Sequence, residues 1–240
     1  MHTVVCPSGF AGEVRGLKVR EEKLLTDRSL AVSGRLVGEL LSACWLRTTD
    51  PGPYRIDGEA APDWRGVLQG DRFAALLAIR VATYGPEYAF ETKCQSCGAR
   101  IRWRVNLVED LATRPLSPED LEAFRAGNRL EVEIGGATVV FRIPTGEDEE
   151  RLAKLAKAAI DSPISSALRV RIVEARGISG RLDDWLRDLD LGEASRLGEA
   201  FERHNCGIDT TVRDVGCGRC GEEQDVELPF DRDFWFPRAP

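Results

Sequence analysis

The chain has 240 residues, of which 42% are hydrophobic and 30% charged, a composition typical of folded globular proteins that excludes a disordered chain. Its 33 basic and 40 acidic residues give a net charge of −7, which argues against attraction of the whole molecule to nucleic acid or to an anionic membrane. The length suits one large domain, or one domain that carries an insertion.

The N-terminal part is predicted to be mainly helical. Apolar residues recur at intervals of three and four between Glu21 and Trp45, which predicts a helix with a break near Ser33-Gly34. The residues before this helix show no clear hydrophobic periodicity. After a loop, Asp71 is the predicted N-cap of a second helix, Arg72–Tyr84, which ends at Gly85.

The pattern then changes to the period of two that is typical of strands. Residues 88–107 are predicted to form a β-hairpin whose tip is the turn Cys94-Gln-Ser-Cys97-Gly98. Near the end of the chain, residues 208–230 repeat this plan around Cys217-Gly-Arg-Cys220-Gly221. Two similar hairpins therefore flank about a hundred residues of other sequence.

The intervening segment has its own predicted elements. Ser117 caps a short helix, and a Gly-Gly turn joins the strands Leu130–Ile134 and Ala137–Ile143 in a further hairpin. Thr145 is the predicted cap of the next helix. Further helices are predicted at roughly 147–160, 164–175, 181–188 and 192–204.

The paired cysteines are the candidate ligands of one structural zinc ion per chain: Cys94, Cys97, Cys217 and Cys220. Structural zinc takes four tetrahedral ligands, and a Cys-x-x-Cys turn offers two thiolates while the following glycine relieves the backbone. The 119 residues between the pairs far exceed the usual spacing of about 15 to 20, so spacing alone does not identify the site. The prediction of a metal site depends on the hairpin setting of both turns. The sequence does not distinguish zinc from iron, so iron stays open as an alternative.

Other interpretations of the cysteines are weaker. A redox Cys-x-x-Cys needs a βαβ setting with a cysteine at a helix N-terminus, whereas both pairs here enter strands. A catalytic zinc would keep one position open, but four thiolates close the site. Cys206 and His204 could replace a ligand, although a buried structural Cys206 at a helix end is preferred, and Cys44 belongs to an apolar helical face.

The strand with Arg100, Arg102 and Arg104 suggests an alternative function, a zinc-ribbon protein that binds nucleic acid. Strand alternation places these arginines on a solvated face and Ile101 and Trp103 on a packed one. The neighbouring segments are also acidic. Nucleic acid is therefore not the expected partner.

No motif indicates an enzyme. The chain has only two histidines and lacks a phosphate-binding glycine loop, a nucleophile elbow and a paired-histidine metal motif.

No apolar stretch approaches the roughly 20 residues of a membrane span, and the N-terminus lacks the features of a secretory signal. We therefore expect a cytoplasmic protein, in which cysteines stay reduced.

Aromatic residues cluster near the end of the chain, at Phe230, Phe234, Trp235 and Phe236. Such a cluster is a candidate partner-binding site, because aromatic side chains are frequent hot spots of docking surfaces. The alternative is that these rings fold back onto the core of the chain itself.

Several segments together resemble the phage baseplate hub assembly chaperones of the T-even type, whose relatives occur in contractile injection and phage-tail-like gene clusters. The segments are Arg20–Leu25 with the helix to Cys44, Gly70–Phe73 with the helix to Gly85, Phe141–Gly146, both cysteine turns, and Leu228–Pro237. The resemblance implies a role in building the baseplate or hub of a contractile tail, with tail tube, hub or baseplate proteins as partners and no known catalytic residue. Both turns lack the proline that often follows the first cysteine, but the ligands and glycines are present.

The expected fold is α+β: a zinc ribbon of two β-hairpins, an N-terminal helical region and a long inserted module of a hairpin and helices. The expected divisions are 1–87 for the helical region, 88–107 with 208–230 for the ribbon, 108–207 for the insertion, and 231–240 for the aromatic tail. The expected protein is a non-enzymatic assembly chaperone or minor structural component of a contractile phage-tail-like particle. We expect it in the cytoplasm or in the particle.

Overall fold

The computed structural model of the chain describes residues 2–157, 163–230 and 232–235. The described residues form both helices and strands, and the strands pair in small antiparallel sheets, so the expected α+β class is confirmed. Within the described ranges, no helix combines the length and the apolar character that crossing a membrane requires.

The elements are numbered along the chain. The helices are α1 Glu22–Thr26, α2 Arg28–Ser33, α3 Leu36–Cys44, α4 Gln69–Tyr84, α5 Pro118–Arg125, α6 Gly146–Lys157, α7 Pro163–Arg171, α8 Leu182–Asp188, α9 Leu191–Arg203 and α10 Arg232–Trp235. The strands are β1 His2–Val5, β2 Ala11–Val14, β3 Trp45–Asp50, β4 Glu87–Lys93, β5 Arg100–Asn106, β6 Thr113–Arg114, β7 Leu130–Ile134, β8 Ala137–Phe141, β9 Ile172–Arg176, β10 Gly207–Ile208, β11 Thr211–Gly216 and β12 Glu223–Glu227. A 3-10 turn, Val19–Glu21, precedes α1.

The N-terminal residues form an antiparallel sheet in the order β1-β2-β3, which the sequence pattern does not predict. β3 begins at Trp45, where the predicted helix ends. Gly12 on β2 allows the Trp45 ring to pack against the strand, because a Cβ atom at Gly12 would come within 2.1 Å of that ring. The sheet shares an apolar cluster with α3 and α4.

The helix predicted between Glu21 and Trp45 is divided into α1, α2 and α3. Gly34 ends α2 with a φ of 74°, which confirms the expected break. A second break at Asp27 was not predicted. The Asp27 carboxylate accepts a hydrogen bond from the Ser29 N–H at 2.8 Å and so caps α2.

The predicted N-cap of α4 is wrong. The helix starts at Gln69, two residues before Asp71, so Asp71 lies in the first turn and is fully buried. Its carboxylate accepts hydrogen bonds from the Ser8 N–H at 3.0 Å, from the Ser8 hydroxyl and from the Tyr54 hydroxyl at 2.5 Å. Asp71 therefore joins α4 to two loops and does not cap the helix.

The segment between the cysteine hairpins contains β6–β10 and α5–α9. Its predicted hairpin is confirmed as β7 and β8, but β9 extends it to a three-stranded sheet and replaces the predicted helical residues 172–175. The helices predicted at 181–188 and 192–204 correspond to α8 and α9. The predicted end of the helix at 147–160 lies outside the described residues.

Both cysteine hairpins are present as predicted. β4 pairs with β5 from Glu87 opposite Asn106 to Lys93 opposite Arg100, and β11 pairs with β12 around a bulge. The short pair β6 and β10 brings the beginning and the end of the intervening segment together. One apolar cluster takes side chains from both hairpins: Tyr88, Phe90, Ile101, Val105, Val212, Val215 and Leu228.

Candidate metal centre

The first cysteine turn connects β4 to β5 and is closed by backbone hydrogen bonds. The Cys94 N–H donates to the Ala99 carbonyl at 2.8 Å, and the Gly98 N–H donates to the Cys94 carbonyl at 2.9 Å. Gly98 has a φ of 69°, a conformation that a residue with a side chain rarely adopts. The turn therefore holds the thiols of Cys94 and Cys97 on one side of the backbone.

The second turn repeats this geometry. The Cys217 N–H donates to the Glu222 carbonyl at 2.8 Å, the Gly221 N–H donates to the Cys217 carbonyl at 2.9 Å, and Gly221 has a φ of 76°. The two Cys-x-x-Cys-Gly segments thus fold in the same way. Each presents a pair of thiols to the other.

The four sulfur atoms form one compact cluster. The Sγ atoms of Cys94 and Cys220 lie 3.6 Å apart, and those of Cys97 and Cys217 lie 3.7 Å apart. All four lie within 4.8 Å of one another. Thiolates bound to one zinc ion at about 2.3 Å would stand about 3.8 Å apart in a tetrahedron, whereas a disulfide needs about 2.05 Å. The geometry fits a tetrahedral metal site, and all four cysteines are free thiols.

Charge in the cluster is set by the turn backbone and by the neighbouring thiols. The N–H groups of Cys220 and Arg219 lower the pKa of Cys217 to about 6, because they donate to its sulfur. The Glu222 N–H favours the thiolate of Cys220, but the surrounding thiols raise the pKa of Cys220 to about 12. Four thiolates at this separation repel one another, so a bound cation is the physical means of charging them together.

One further side chain links the two turns. Gln224 on β12 accepts a hydrogen bond from the Gln95 N–H at 2.7 Å and donates one to the Lys93 carbonyl at 3.0 Å. The sequence does not predict this role of Gln224, because a single polar residue in a strand carries no signal of a contact between two hairpins. Gln224 fixes the second hairpin against the backbone beside Cys94.

The cluster combines a buried side with an accessible side. Cys94 and Cys217 are buried against the shared apolar cluster, Cys97 is half-buried and Cys220 is exposed. Burial of two ligands suits a structural site, because the surrounding side chains then fix ligand positions. The exposed Cys220 gives a metal a path from solvent.

The other candidate ligands lie elsewhere. Nδ1 of His204 is 2.6 Å from a carboxylate oxygen of Asp120, and Cys206 is buried in an apolar cluster with Leu68 and Ile143. Cys44 is fully buried in the N-terminal cluster. Among the described residues, only the four paired cysteines form a cluster suited to a metal ion.

The arginine strand follows the expected alternation. Arg100, Arg102 and Arg104 on β5 are exposed, Ile101 is buried and Trp103 is half-buried. The Nε of Arg102 lies 2.7 Å from a carboxylate oxygen of Glu91 on the neighbouring strand.

Two of the terminal aromatic residues, Phe234 and Trp235, fold back onto the chain. Phe234 is only 1% exposed, its ring packs on Tyr88 with centroids 5.1 Å apart, and its carbonyl accepts a hydrogen bond from Nε of Arg80 at 2.7 Å. Trp235 is half-buried, whereas Phe230 keeps 38% exposure. Phe236 lies outside the described residues. A partner-binding role stays a prediction for this cluster, and Phe230 has the most exposed ring among its described members.

The fold and the site define an α+β protein in which two distant hairpins bring four cysteine thiols into one candidate metal centre. The chain belongs to the T4 bacteriophage base plate protein family, whose family model matches residues 6–234. Neither a curated protein nor a solved structure matches it. The resemblance to phage baseplate proteins is therefore confirmed for the family, which has a structural or assembly role in the phage baseplate and contacts other baseplate or tail proteins.

Proposed function

We propose that this protein is a non-enzymatic assembly chaperone or minor structural component of the baseplate or hub of a contractile phage-tail-like particle. The family match over residues 6–234 is the observation that carries the proposal. The absence of a catalytic motif from the sequence supports a role in assembly. Its partners are then tail tube, hub or baseplate proteins, met in the cytoplasm or in the finished particle.

The second part of the proposal is that Cys94, Cys97, Cys217 and Cys220 hold one structural zinc ion. The sulfur separations of 3.6 and 3.7 Å support it, as do the two identical turns. A four-thiolate site leaves no open position for water, so the ion would stabilise the fold and would not act in catalysis. Iron would fit the same four thiolates.

The proposed division of the chain follows from this site. Residues 88–107 and 208–230 form the zinc ribbon, and residues 108–207 are an insertion within it. The shared apolar cluster of the two hairpins supports the first statement, and the pairing of β6 with β10 at the base of the insertion supports the second. Residues 1–87 form the N-terminal region and residues 231–240 the aromatic tail.

Co-purification tests the baseplate role. A tagged chain, expressed in cells that produce the particle, should retain tail tube, hub or baseplate proteins that mass spectrometry identifies. Mass spectrometry of finished particles then distinguishes the two roles. A chaperone should be absent from the particles, and a structural component should be present in them. Salt-dependent binding of DNA or RNA without any tail protein would favour the nucleic-acid alternative and contradict the proposal.

Native mass spectrometry tests the metal. The intact chain should carry one zinc ion, and Cys217→Ser should lose it. Cys206→Ser is the matched control, because Cys206 is a buried free cysteine outside the cluster. A metal-free wild-type chain from zinc-supplied cells would contradict the zinc proposal while leaving the baseplate role untouched.

A further inference from the structure

The exposed face of the first hairpin carries a regular row of positive charge. Arg100, Arg102 and Arg104 alternate along β5 and face solvent, and the side chain of Arg102 is 86% exposed. Alternate residues of a strand stand about 6.7 Å apart on one face, so the three arginine side chains leave the strand at even intervals. We call these three residues the arginine triad.

The second hairpin carries the same row with the opposite charge. Glu223, Asp225 and Glu227 alternate along β12 and are exposed. Their spacing along the strand equals that of the arginine triad, because the positions differ by two in both strands. We call these three residues the acidic triad.

The rest of each hairpin strengthens the contrast. On the strands of the first hairpin, the exposed charged residues are Lys93, Arg100, Arg102 and Arg104 against Glu87 and Glu91. On the strands of the second, they are Asp214, Glu223, Asp225 and Glu227 against Arg213. One hairpin is therefore net positive in a chain whose net charge is −7, and the other is net negative.

The two triads do not neutralise each other within one molecule. Both hairpins give their buried face to the same apolar cluster, so their exposed faces are directed away from it. Across the described parts of the chain, no ion pair joins one hairpin to the other: Arg102 pairs with Glu91 and Arg213 pairs with Asp209. The contacts of the triads are local to each hairpin: Arg102 pairs with Glu91, Glu227 accepts hydrogen bonds from the hydroxyls of Thr210 and Thr211, and Asp225 accepts one from the Asp214 N–H. All six side chains belong to exposed residues, so a second molecule can reach them.

We propose that the arginine triad of one copy binds the acidic triad of a second copy. Aligned strands would place each guanidinium opposite one carboxylate, because the two rows share one spacing. If a two-fold axis lets both triads of each copy engage in one pair, the product is a closed dimer; otherwise the contact is heterologous and extends to a ring or an open chain of copies. The inference goes beyond the proposed baseplate role and does not depend on it.

A second copy suits the arginine triad better than nucleic acid does. The net charge of −7 opposes the approach of nucleic acid, which carries phosphate charge along its whole length. A second copy of the chain presents three carboxylates in the matching arrangement, and its arginine triad lies on its other hairpin.

Charge reversal tests the contact on the full-length, zinc-loaded protein. Analytical ultracentrifugation in about 50 mM salt should show concentration-dependent self-association that weakens in about 500 mM salt, where screening is stronger. The variant Arg100→Glu/Arg102→Glu/Arg104→Glu and the variant Glu223→Lys/Asp225→Lys/Glu227→Lys should each self-associate about 100-fold more weakly, because like charges then face each other. An equimolar mixture of the two variants should associate again.

The control variant Arg181→Glu/Arg196→Glu/Arg203→Glu has the same change in net charge as the arginine-triad variant, outside the hairpins, and should associate like the wild type. A monomeric wild type at low salt would overturn the proposal, as would undiminished association of either hairpin variant. A wild type that stays monomeric but binds duplex DNA through the arginine triad would assign this face to nucleic acid instead. Circular dichroism establishes that each variant is folded before it is measured.

Discussion

The Sγ atom of Cys94 lies 3.6 Å from the Sγ atom of Cys220, although the two residues are 126 positions apart in the sequence. A metal that binds both therefore connects β4 to the end of the second cysteine turn and closes a loop around the whole intervening segment. By analogy with a disulfide across a loop of this size, such closure stabilises the fold by about 4–5 kcal/mol through the lower entropy of the unfolded chain.

Removal of the metal should therefore destabilise the whole protein and not only the two turns. We expect a strong chelator to lower the melting temperature of the wild type, measured by calorimetry, and to leave that of Cys217→Ser unchanged at its already lower value. Cys206→Ser should respond to the chelator like the wild type. An unchanged melting temperature of the wild type after complete metal loss would contradict a stabilising role.

The cysteine hairpins could be predicted because their signals are local. Strand alternation, a Cys-x-x-Cys pair and a trailing glycine lie within about twenty residues of one another in each hairpin, and Gly98 and Gly221 have the positive φ angles that the turns require. The meeting of the two hairpins could be inferred from metal chemistry alone. Gln224, which joins them, has no such chemical signature.

Several strands are not predicted from the local sequence. β1 and β2 are four residues long and form a local hairpin that is too short to show a clear period, and β2 alone pairs with β3 from across the predicted helical region. Residues 172–175 belong to a predicted helix at 164–175, yet their pairing with β8 makes them part of the strand β9. In both cases tertiary contacts override local preference.

The buried carboxylate of Asp71 should make stability depend on pH. Burial raises the pKa of Asp71 above its ordinary value of 3.8, and hydrogen bonds from Ser8 and Tyr54 offset part of this effect. The folded state then binds a proton more tightly than the unfolded state. The contribution of Asp71 to the free energy of unfolding must therefore fall as the pH rises from about 4 through the pKa that Asp71 has in the folded state.

Asp71→Asn removes this titration at nearly constant shape. The free energy of unfolding of Asp71→Asn minus that of the wild type should increase with pH over this range, by about 1.4 kcal/mol for each unit of pKa shift. Urea unfolding of both proteins between pH 4 and 8 measures the difference, in which the pH dependence of metal binding cancels. A difference that stays constant with pH would show that Asp71 does not carry the effect.

Two helical glycines should respond oppositely to alanine. A Cβ atom at Gly70 on α4 would lie 2.2 Å from the Cys206 carbonyl oxygen, and this backbone atom cannot rotate away. Gly70→Ala should therefore destabilise the protein by about 2–3 kcal/mol. Gly198 on α9 has nothing within 4 Å of such a Cβ atom, so Gly198→Ala should stabilise by up to about 1 kcal/mol through helix propensity. Urea unfolding measures both, and equal effects would contradict the close packing of α4 against Cys206.

The C-terminal segment should stabilise the two cysteine hairpins through Phe234. This ring is 1% exposed and contacts Tyr88 and Phe230, so Phe234→Ala should lower the free energy of unfolding by about 3–5 kcal/mol. Phe230 is 38% exposed, and Phe230→Ala should cost about 1 kcal/mol, because less area returns to water.

The same two variants separate packing from partner binding at this end of the chain. If the aromatic tail serves only the fold, both variants should retain baseplate or tail proteins in proportion to the fraction of folded protein. If Phe230 contacts a partner, Phe230→Ala should lose that partner in co-purification while remaining as folded as the wild type by circular dichroism. Loss of less than 1 kcal/mol for Phe234→Ala would contradict its place in the core, because a ring with 1% exposure cannot be removed without leaving a cavity.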